Sequence, residues 1–383
     1  VMPGTLFEEF GFNYIGPIDG HDIDALCATL GNLKKLEGPQ FLHVVTRKGK
    51  GYQPAEDDAI LYHGVGQFDP PAGIKTQSSQ NKTYTQVFGE WLCDTAQIDK
   101  RLIGITPAMR EGSGLVEFSQ RYPERYFDVG IAEQHAVTFA AGLATEDFKP
   151  VLAIYSTFLQ RAYDQLIHDV CIQNLDVTFA LDRSGLVGAD GPTHHGAFDL
   201  AYLRCVPNLV VMVPSDARQC REMLSLAYHH LGPSVVRYPR GNAIGAEFTS
   251  TDSLVLGRSK IVREGDAGVA ILVFGPLLHT ATLVAEKLNA TVVDMRFVKP
   301  LDVVMVELLG KKNRILVTIE DGVAIGGAGS AVCEALGSKT SRVLRIGLPD
   351  KFVTHGDTTL LFKECRLDER GILEQINEFI EIE

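Results

Sequence analysis

The sequence has no Cys-x-x-Cys pair. Its seven cysteines, Cys27, Cys93, Cys171, Cys205, Cys220, Cys333 and Cys365, stand singly and are odd in number. That pattern argues against a disulfide framework or a structural zinc and for a reducing compartment, so the expected location is the cytoplasm, or the plastid stroma if the source were a plant. No apolar run approaches the ~18–20 residues that a membrane span needs; the longest, such as 269–274, are strand-sized, so no membrane partner is expected. The N-terminus has neither the basic head nor the apolar core of a signal peptide. Basic residues are short as well: 36 lysines and arginines face 48 acids, a net charge of −12 that charging all 11 histidines would only raise to −1. A chain this acidic is a poor non-specific binder of nucleic acid, although a local cluster of arginines can still hold a phosphate. Short repeats and low-complexity segments are absent too.

What is present is ample core material. Hydrophobic residues make up 45% and charged residues 22% of 383, which rules out a disordered or collagen-like chain. The length suggests two or three domains. Strand-like and helix-like stretches alternate almost throughout, the mark of an α/β protein with largely parallel sheets. Residues 1–63 hold one helix pattern after Asp19-Gly20-His21-Asp22 and one strand over 40–46, too little for a complete sheet domain, and read as the tail of one. Residues 64–82, rich in Gly, Pro, Ser and Gln, read as a linker. A middle block, 83–245, supplies strands near 102–105, 126–131, 151–155, 177–181, 210–213 and 234–238. After a softer boundary at 241–256, the last block, 257–383, gives strands over 269–274, 291–295, 315–319 and 342–346 and a closing amphipathic helix near 369–380.

In open parallel sheets, ligands collect at the carboxyl ends of the strands. The middle block places polar residues there: Glu133 after 126–131, Tyr155 at the end of 151–155, Asp182-Arg183 after 177–181, and Arg240 after 234–238. Glu133 opens a helix over 133–144 whose i+3, i+4 and i+7 positions are Ala136, Val137 and Ala140, so its carboxylate lies on the apolar face. A buried acid needs a proton or a partner; a helix-start acid facing water is the plainer alternative. Arg161, Arg183 and Arg240 could each be a surface or structural arginine, but three near one sheet edge favour a bound anion, of which phosphate fits best. The loop Asp190-Gly191-Pro192-Thr193-His194-His195 suggests a histidine placed for proton transfer or hydrogen bonding, with a plain turn as the alternative; no third ligand stands at metal spacing. Gly326-Gly327-Ala328-Gly329 lacks the third glycine of a dinucleotide fingerprint and is better explained by helix–strand packing. Gly265-Asp266-Ala267 with Asn289 imitates a diphosphate–magnesium motif but precedes its strand instead of following it.

These residues resemble a known family. The run 126–144 (YFDVGIAEQHAVTFAAGLA) is similar to the thiamine-diphosphate signature of transketolase-type enzymes. TPAMREGSG (106–114), YSTFLQRAYDQ (155–165), GADGPTHHGAFD (188–199), RYPRGN (237–242) and DMRFVKPLD (294–302) resemble the 1-deoxy-D-xylulose 5-phosphate synthase family among them, and the resemblance runs essentially from end to end. It implies a transketolase-like α/β fold with two full domains plus the tail of a preceding one. It also implies a decarboxylating condensation of pyruvate with glyceraldehyde 3-phosphate, dependent on thiamine diphosphate and Mg2+, whose product feeds isoprenoid, thiamine and pyridoxal synthesis. By the same resemblance Glu133 would bind N1′ of the cofactor's aminopyrimidine, Tyr155 and Phe158 would line the pyrimidine pocket, and Tyr52 would approach the cofactor. Arg183 and Arg240 would clamp the acceptor's phosphate with Arg161 nearby, Asp190 and His194 would orient the acceptor and serve proton transfers, and His63 would contact the pyruvate-derived group. The last block would serve packing and the contacts of a homodimer.

The family's Gly-Asp-Gly…Asn motif, which holds magnesium and diphosphate, does not occur in this sequence. The resemblance therefore implies the C-terminal portion of a longer enzyme, with its own N-terminal region as a partner and the metal ligands there, and none in this chain. The rival readings are a β-subunit of a two-subunit thiamine enzyme, which the remnant-like 1–63 and the phosphate-type arginines disfavour, and a non-catalytic relative, which the presence of Glu133 disfavours. The expected outcome for this 383-residue chain assayed by itself is no turnover of pyruvate and glyceraldehyde 3-phosphate; product formed without any added polypeptide would overturn that expectation.

Overall fold

The computed structural model describes residues 4–74, 82–243, 254–337 and 342–381. It forms two compact units, 1–79 and 80–383. In the first, strands β1 (Asn13–Asp19) and β2 (Gln40–Val45) pair in parallel around the helix Ile23–Leu33. That helix begins where the Asp22 carboxylate accepts the Ala25 N–H at 2.9 Å. Turns and the short helix Gln53–Asp57 follow. Of the expected linker, 75–81 lie outside the described residues.

The second unit holds two sheets. Strands β3 (Leu102–Thr106), β4 (Tyr126–Asp128), β5 (Lys149–Tyr155), β6 (Thr178–Ser184), β7 (Val210–Met212) and β8 (Ser234–Pro239) belong to one, and β9 (Lys260–Arg263), β10 (Val269–Phe274) and β11 (Thr291–Asp294) to the other. β12 (Phe297–Lys299) returns to the first sheet, and β13 (Ile315–Val323) and β14 (Arg342–Leu348) complete the second. The orders are β12-β7-β8-β6-β5-β3-β4 and β14-β13-β10-β11-β9. Pairing is parallel except for β12 on β7 and β9 on β11. β3 and β5 are buried at every residue, as strands covered by helices on both faces must be. Flanking helices start where the sequence offers caps: Thr83 and Gln86 form a capping box on Tyr84–Ile98, and Asp216 caps Ala217–His229.

Several elements depart from the expected bounds: β1 and β9 stand where no strand is expected, β6 runs over Thr178–Ser184 instead of 177–181, and three further differences bear on the site. The strand expected over 126–131 stops at Asp128, because the Asp128 carboxylate turns back to accept the N–H groups of Ala108 (2.9 Å) and Gly130 (3.0 Å). The strand expected over 315–319 runs on to Val323 and carries Glu320 and Asp321 into the interior. The short β12 leaves its own block and pairs Phe297 with Met212 and Lys299 with Val211 on the middle-block sheet. Among the described residues no helix is long and apolar enough to cross a membrane.

One hydrophobic cluster runs through both blocks: Ile105, Leu152 and Phe179 belong to it together with Phe274, Val293 and Leu316. Phe274 has no exposed surface. Phe274→Ala should lower unfolding free energy by about 3–5 kcal/mol, read as the shift of a urea midpoint. The transition should remain single, both blocks losing structure together; two separated transitions would show that the blocks fold independently.

Candidate active site

β4, β3, β5, β6 and β8 are adjacent and parallel, so their carboxyl ends share one edge. Along it lie Glu133, Tyr155, Asp182, Arg183 and Arg240, as the spacing predicted. Glu133 is the first residue of the helix Glu133–Ala144 and only 3% exposed, with Ala136, Val137, Ala140 and Ala141 buried on the same helix. Its carboxylate accepts from Arg161 Nη1 at 3.1 Å (Oε1) and 2.9 Å (Oε2). The Arg161 side chain is 56% exposed, so the partner reaches the buried acid from the solvent side.

Tyr155 closes β5 and is buried, which pushes its phenol up to about 12 and keeps it protonated. Its ring stacks on Phe158 (centroids 5.5 Å apart, planes 9° apart), and the Arg183 guanidinium lies over it at 4.4 Å. Phe158 in turn meets His194 edge-on at 5.4 Å. A continuous line of rings therefore joins Arg183 to His194. Arg183 sits at φ +60°, a left-handed conformation that a non-glycine residue holds only under constraint. Asp182 supplies the constraint. Its Oδ1 accepts the Arg183 backbone N–H (2.7 Å), and its Oδ2 accepts Arg183 Nη1 (2.6 Å) and Thr85 Oγ1 (2.8 Å). Arg183 Nη1 also donates to the Gly112 carbonyl at 2.7 Å, and a Cβ on Gly112 would collide with the Tyr155 hydroxyl.

Arg240 donates to Asp190 Oδ2 at 2.6 Å, both side chains being nearly half exposed. Arg183 and Arg240 line one cavity of about 560 Å³ with Thr85, Glu111 and Gly112. Arg161 lines another, of about 430 Å³, with Phe158, Thr193, His195 and Phe352. The expected group of three arginines is therefore split, because Arg161 is committed to Glu133. His194 pairs its Nδ1 with Thr193 Oγ1 at 2.9 Å. His195, which spacing alone left undefined, is buried: Nδ1 accepts the Val187 N–H (3.0 Å), so the proton is on Nε2, facing the Thr354 carbonyl (3.3 Å). Tyr52 and His63 lie in the first unit, where Tyr52 donates to the Pro70 carbonyl (2.7 Å) and packs with Tyr62 and Phe68, and His63 is exposed.

Sequence reasoning missed Thr85, Gly112 and a buried ion network. Arg237, within the RYPRGN run, has no exposed side-chain surface and pairs with Asp199 and with Asp321 of β13. Beside it, Glu320 is fully buried; its two oxygens accept the Ala328 and Gly329 N–H groups at 2.8 Å each. The Gly326–Gly329 run thus serves packing and this contact, and Asn289 and Asp266 hydrogen-bond each other. Among the described residues no group of three or more His, Cys, Asp or Glu side chains is placed to hold a metal.

Comparison with known proteins matches three stretches of the chain. Residues 80–244 match the transketolase pyrimidine-binding domain, 257–372 the transketolase C-terminal domain, and 1–46 the family model described as 1-deoxy-D-xylulose-5-phosphate synthase. Proteins named 1-deoxy-D-xylulose-5-phosphate synthase from Nitrosospira multiformis and Nitrosomonas europaea are 62% and 61% identical over 379 and 381 residues, covering 98% and 99% of this chain. The chain spans 62% of the length of each of these relatives. A solved structure titled "Split gene transketolase, inactive beta4 tetramer" matches with a TM-score of 0.69 at 28% identity, over 78% of this chain and 98% of that one. Transketolase from Campylobacter jejuni matches in fold, with a TM-score of 0.66 at 15% identity over 99% of this chain and 69% of that one.

Burial pushes Glu320 up to about 7, against the pull of the two N–H groups and Arg237. Between about 4.5 and about 7 the folded chain therefore keeps a proton that the unfolded chain has released, and stability falls as pH rises through that window. Glu320→Gln cannot ionise, so the stability difference between wild type and variant should move against wild type by on the order of 2–3 kcal/mol from pH 4.5 to 7.5. Urea midpoints across that range test it, and a pH-independent difference would contradict it.

Proposed function

Because the chain belongs to the 1-deoxy-D-xylulose-5-phosphate synthase family, we propose that the protein containing it condenses pyruvate with D-glyceraldehyde 3-phosphate to give 1-deoxy-D-xylulose 5-phosphate and carbon dioxide, using thiamine diphosphate. The observation that carries the reading is Glu133: a carboxyl buried at a helix start whose hydrogen-bond partner, Arg161, lines a cavity together with the aromatic ring of Phe158. That environment suits a flat, nitrogen-bearing ring such as an aminopyrimidine, and it fits the matched pyrimidine-binding domain.

When bound, thiamine diphosphate supplies the carbon that attacks the pyruvate ketone and accepts the electron pair left as carbon dioxide departs. The residues of this chain do the remainder. Glu133 would hydrogen-bond the pyrimidine N1′. Phe158 and Tyr155 would bound the cofactor with apolar and aromatic surface and keep water from the reacting carbon. Arg183, fixed by Asp182 and Thr85, and Arg240 take the acceptor phosphate in their shared cavity. Asp190 and His194 would orient the acceptor, and His194 would serve the proton exchanged as its carbonyl becomes a hydroxyl. Magnesium and the diphosphate belong to the same proposal, but no residue of this chain is offered as a metal ligand. A cytoplasmic homodimer and a contribution to isoprenoid and thiamine synthesis complete the reading. The neighbour titled an inactive β4 tetramer supports the view that this chain requires further sequence for turnover.

The test is an assay of the full-length protein carrying this sequence with pyruvate, glyceraldehyde 3-phosphate, thiamine diphosphate and Mg2+. The wild type should form the five-carbon sugar phosphate with one carbon dioxide per product, and failure to do so would sink the reading. Glu133→Gln should lower kcat by about 10²–10⁴-fold with an unchanged far-ultraviolet dichroism spectrum.

A further inference from the structure

Arg237 lies wholly inside the protein, and each of its three guanidinium nitrogens has a hydrogen-bond partner. Nε donates to Asp199 Oδ1 and Oδ2 at 2.9 and 2.8 Å, Nη1 to Asp321 Oδ1, and Nη2 to the Gly196 carbonyl at 3.3 Å. Each partner leads to a different part of the edge described above. Asp199 Oδ2 also accepts Ser156 Oγ at 2.8 Å, and Ser156 follows Tyr155. Gly196 is one end of a loop that closes on itself: Gly185 and Gly196 exchange two backbone hydrogen bonds, at 2.9 and 2.8 Å. Between them stand Asp190 and His194. Gly185 has φ +68°, and a Cβ there would meet the Asp321 carboxylate, so the loop base rests directly on that side chain.

Asp321 comes from β13, in the block to which the family resemblance assigns packing and subunit contacts. Its Oδ2 is buried with no hydrogen-bond partner among the described residues. A buried charged group with half its acceptors unused is a poor source of stability, since an apolar residue of similar volume would serve as well. Its direction is what the structure uses. The outer part of the loop is tied to the same block, by Gly356 N–H to the Gly188 carbonyl (3.3 Å) and His195 Nε2 to the Thr354 carbonyl.

We infer that Asp321 is a positioning residue for the acceptor end of the site: through Arg237 it fixes Asp199, Ser156 and the closed base of the 185–196 loop, and so sets where Asp190 and His194 stand. The inference rests on the acceptor role given above to that loop. The full-length protein carrying Asp321→Asn keeps the shape and one acceptor oxygen but loses the charge. Its KM for glyceraldehyde 3-phosphate should rise about tenfold with kcat and the pyruvate KM within about twofold of wild type, and amides of 185–196 should exchange with deuterium faster. Ser156→Ala, which removes one bond to Asp199 and leaves both ion pairs, should shift the same two readouts in the same direction by less. It also decides the matter should Asp321→Asn not fold. Unchanged acceptor KM and unchanged exchange would overturn the inference, as would a uniform loss in kcat and both KM values, the mark of general loosening. Deuterium exchange needs no substrate, so it tests the positioning even if the wild type fails to condense the two substrates, a result that would instead remove the proposed function.

Discussion

Parallel strands cannot be joined by a tight turn; every return must cross the sheet, and helices come to cover both faces. In this chain that constraint leaves the carboxyl edge of β8, β6, β5, β3 and β4 as the place where side chains can meet outside a packed layer. Glu133, Tyr155, Asp182, Arg183 and Arg240 sit there for that reason. Most buried strand residues are apolar. Arg237 in β8 is one exception, and it pairs with carboxylates from two other elements.

The balance of charge in that interior is unusual. Asp199, Asp321 and Glu320 surround one arginine. Burial pushes Asp199 and Glu320 up, the Arg237 guanidinium pulls Asp199 back, and Arg237 itself is held charged by its two aspartates. Such a cluster adds little to stability over a hydrophobic filling, but it admits few arrangements, and every alternative strands a charge away from water.

Much of this was legible before the fold was known, and the legible part has a pattern. Positions governed by local periodicity could be read: the burial of Glu133 follows from Ala136, Val137 and Ala140 at helical spacing, and the shared edge follows from strands that recur with helices between them. Contacts between distant segments could not. Arg161 reaches Glu133 across 28 residues, from the short turns Ser156–Leu159 and Gln160–Ala162 that follow β5. Asp321 and Arg237 are 84 residues apart, and an acid at the end of an apolar strand looks like the start of a loop. β12 has three residues, too few for any period to show, and β4 ends early because one aspartate folds back on the chain.

β12 bears on how such a protein can be inherited. Its three residues close the β7 edge of a sheet that otherwise belongs to an earlier stretch of sequence, and the edge they cover would be an open template for another strand. The two matched domains are therefore not exchangeable parts: a recombination event that joined the first to a second lacking these residues would expose that edge and leave Arg237 without Asp321 at once.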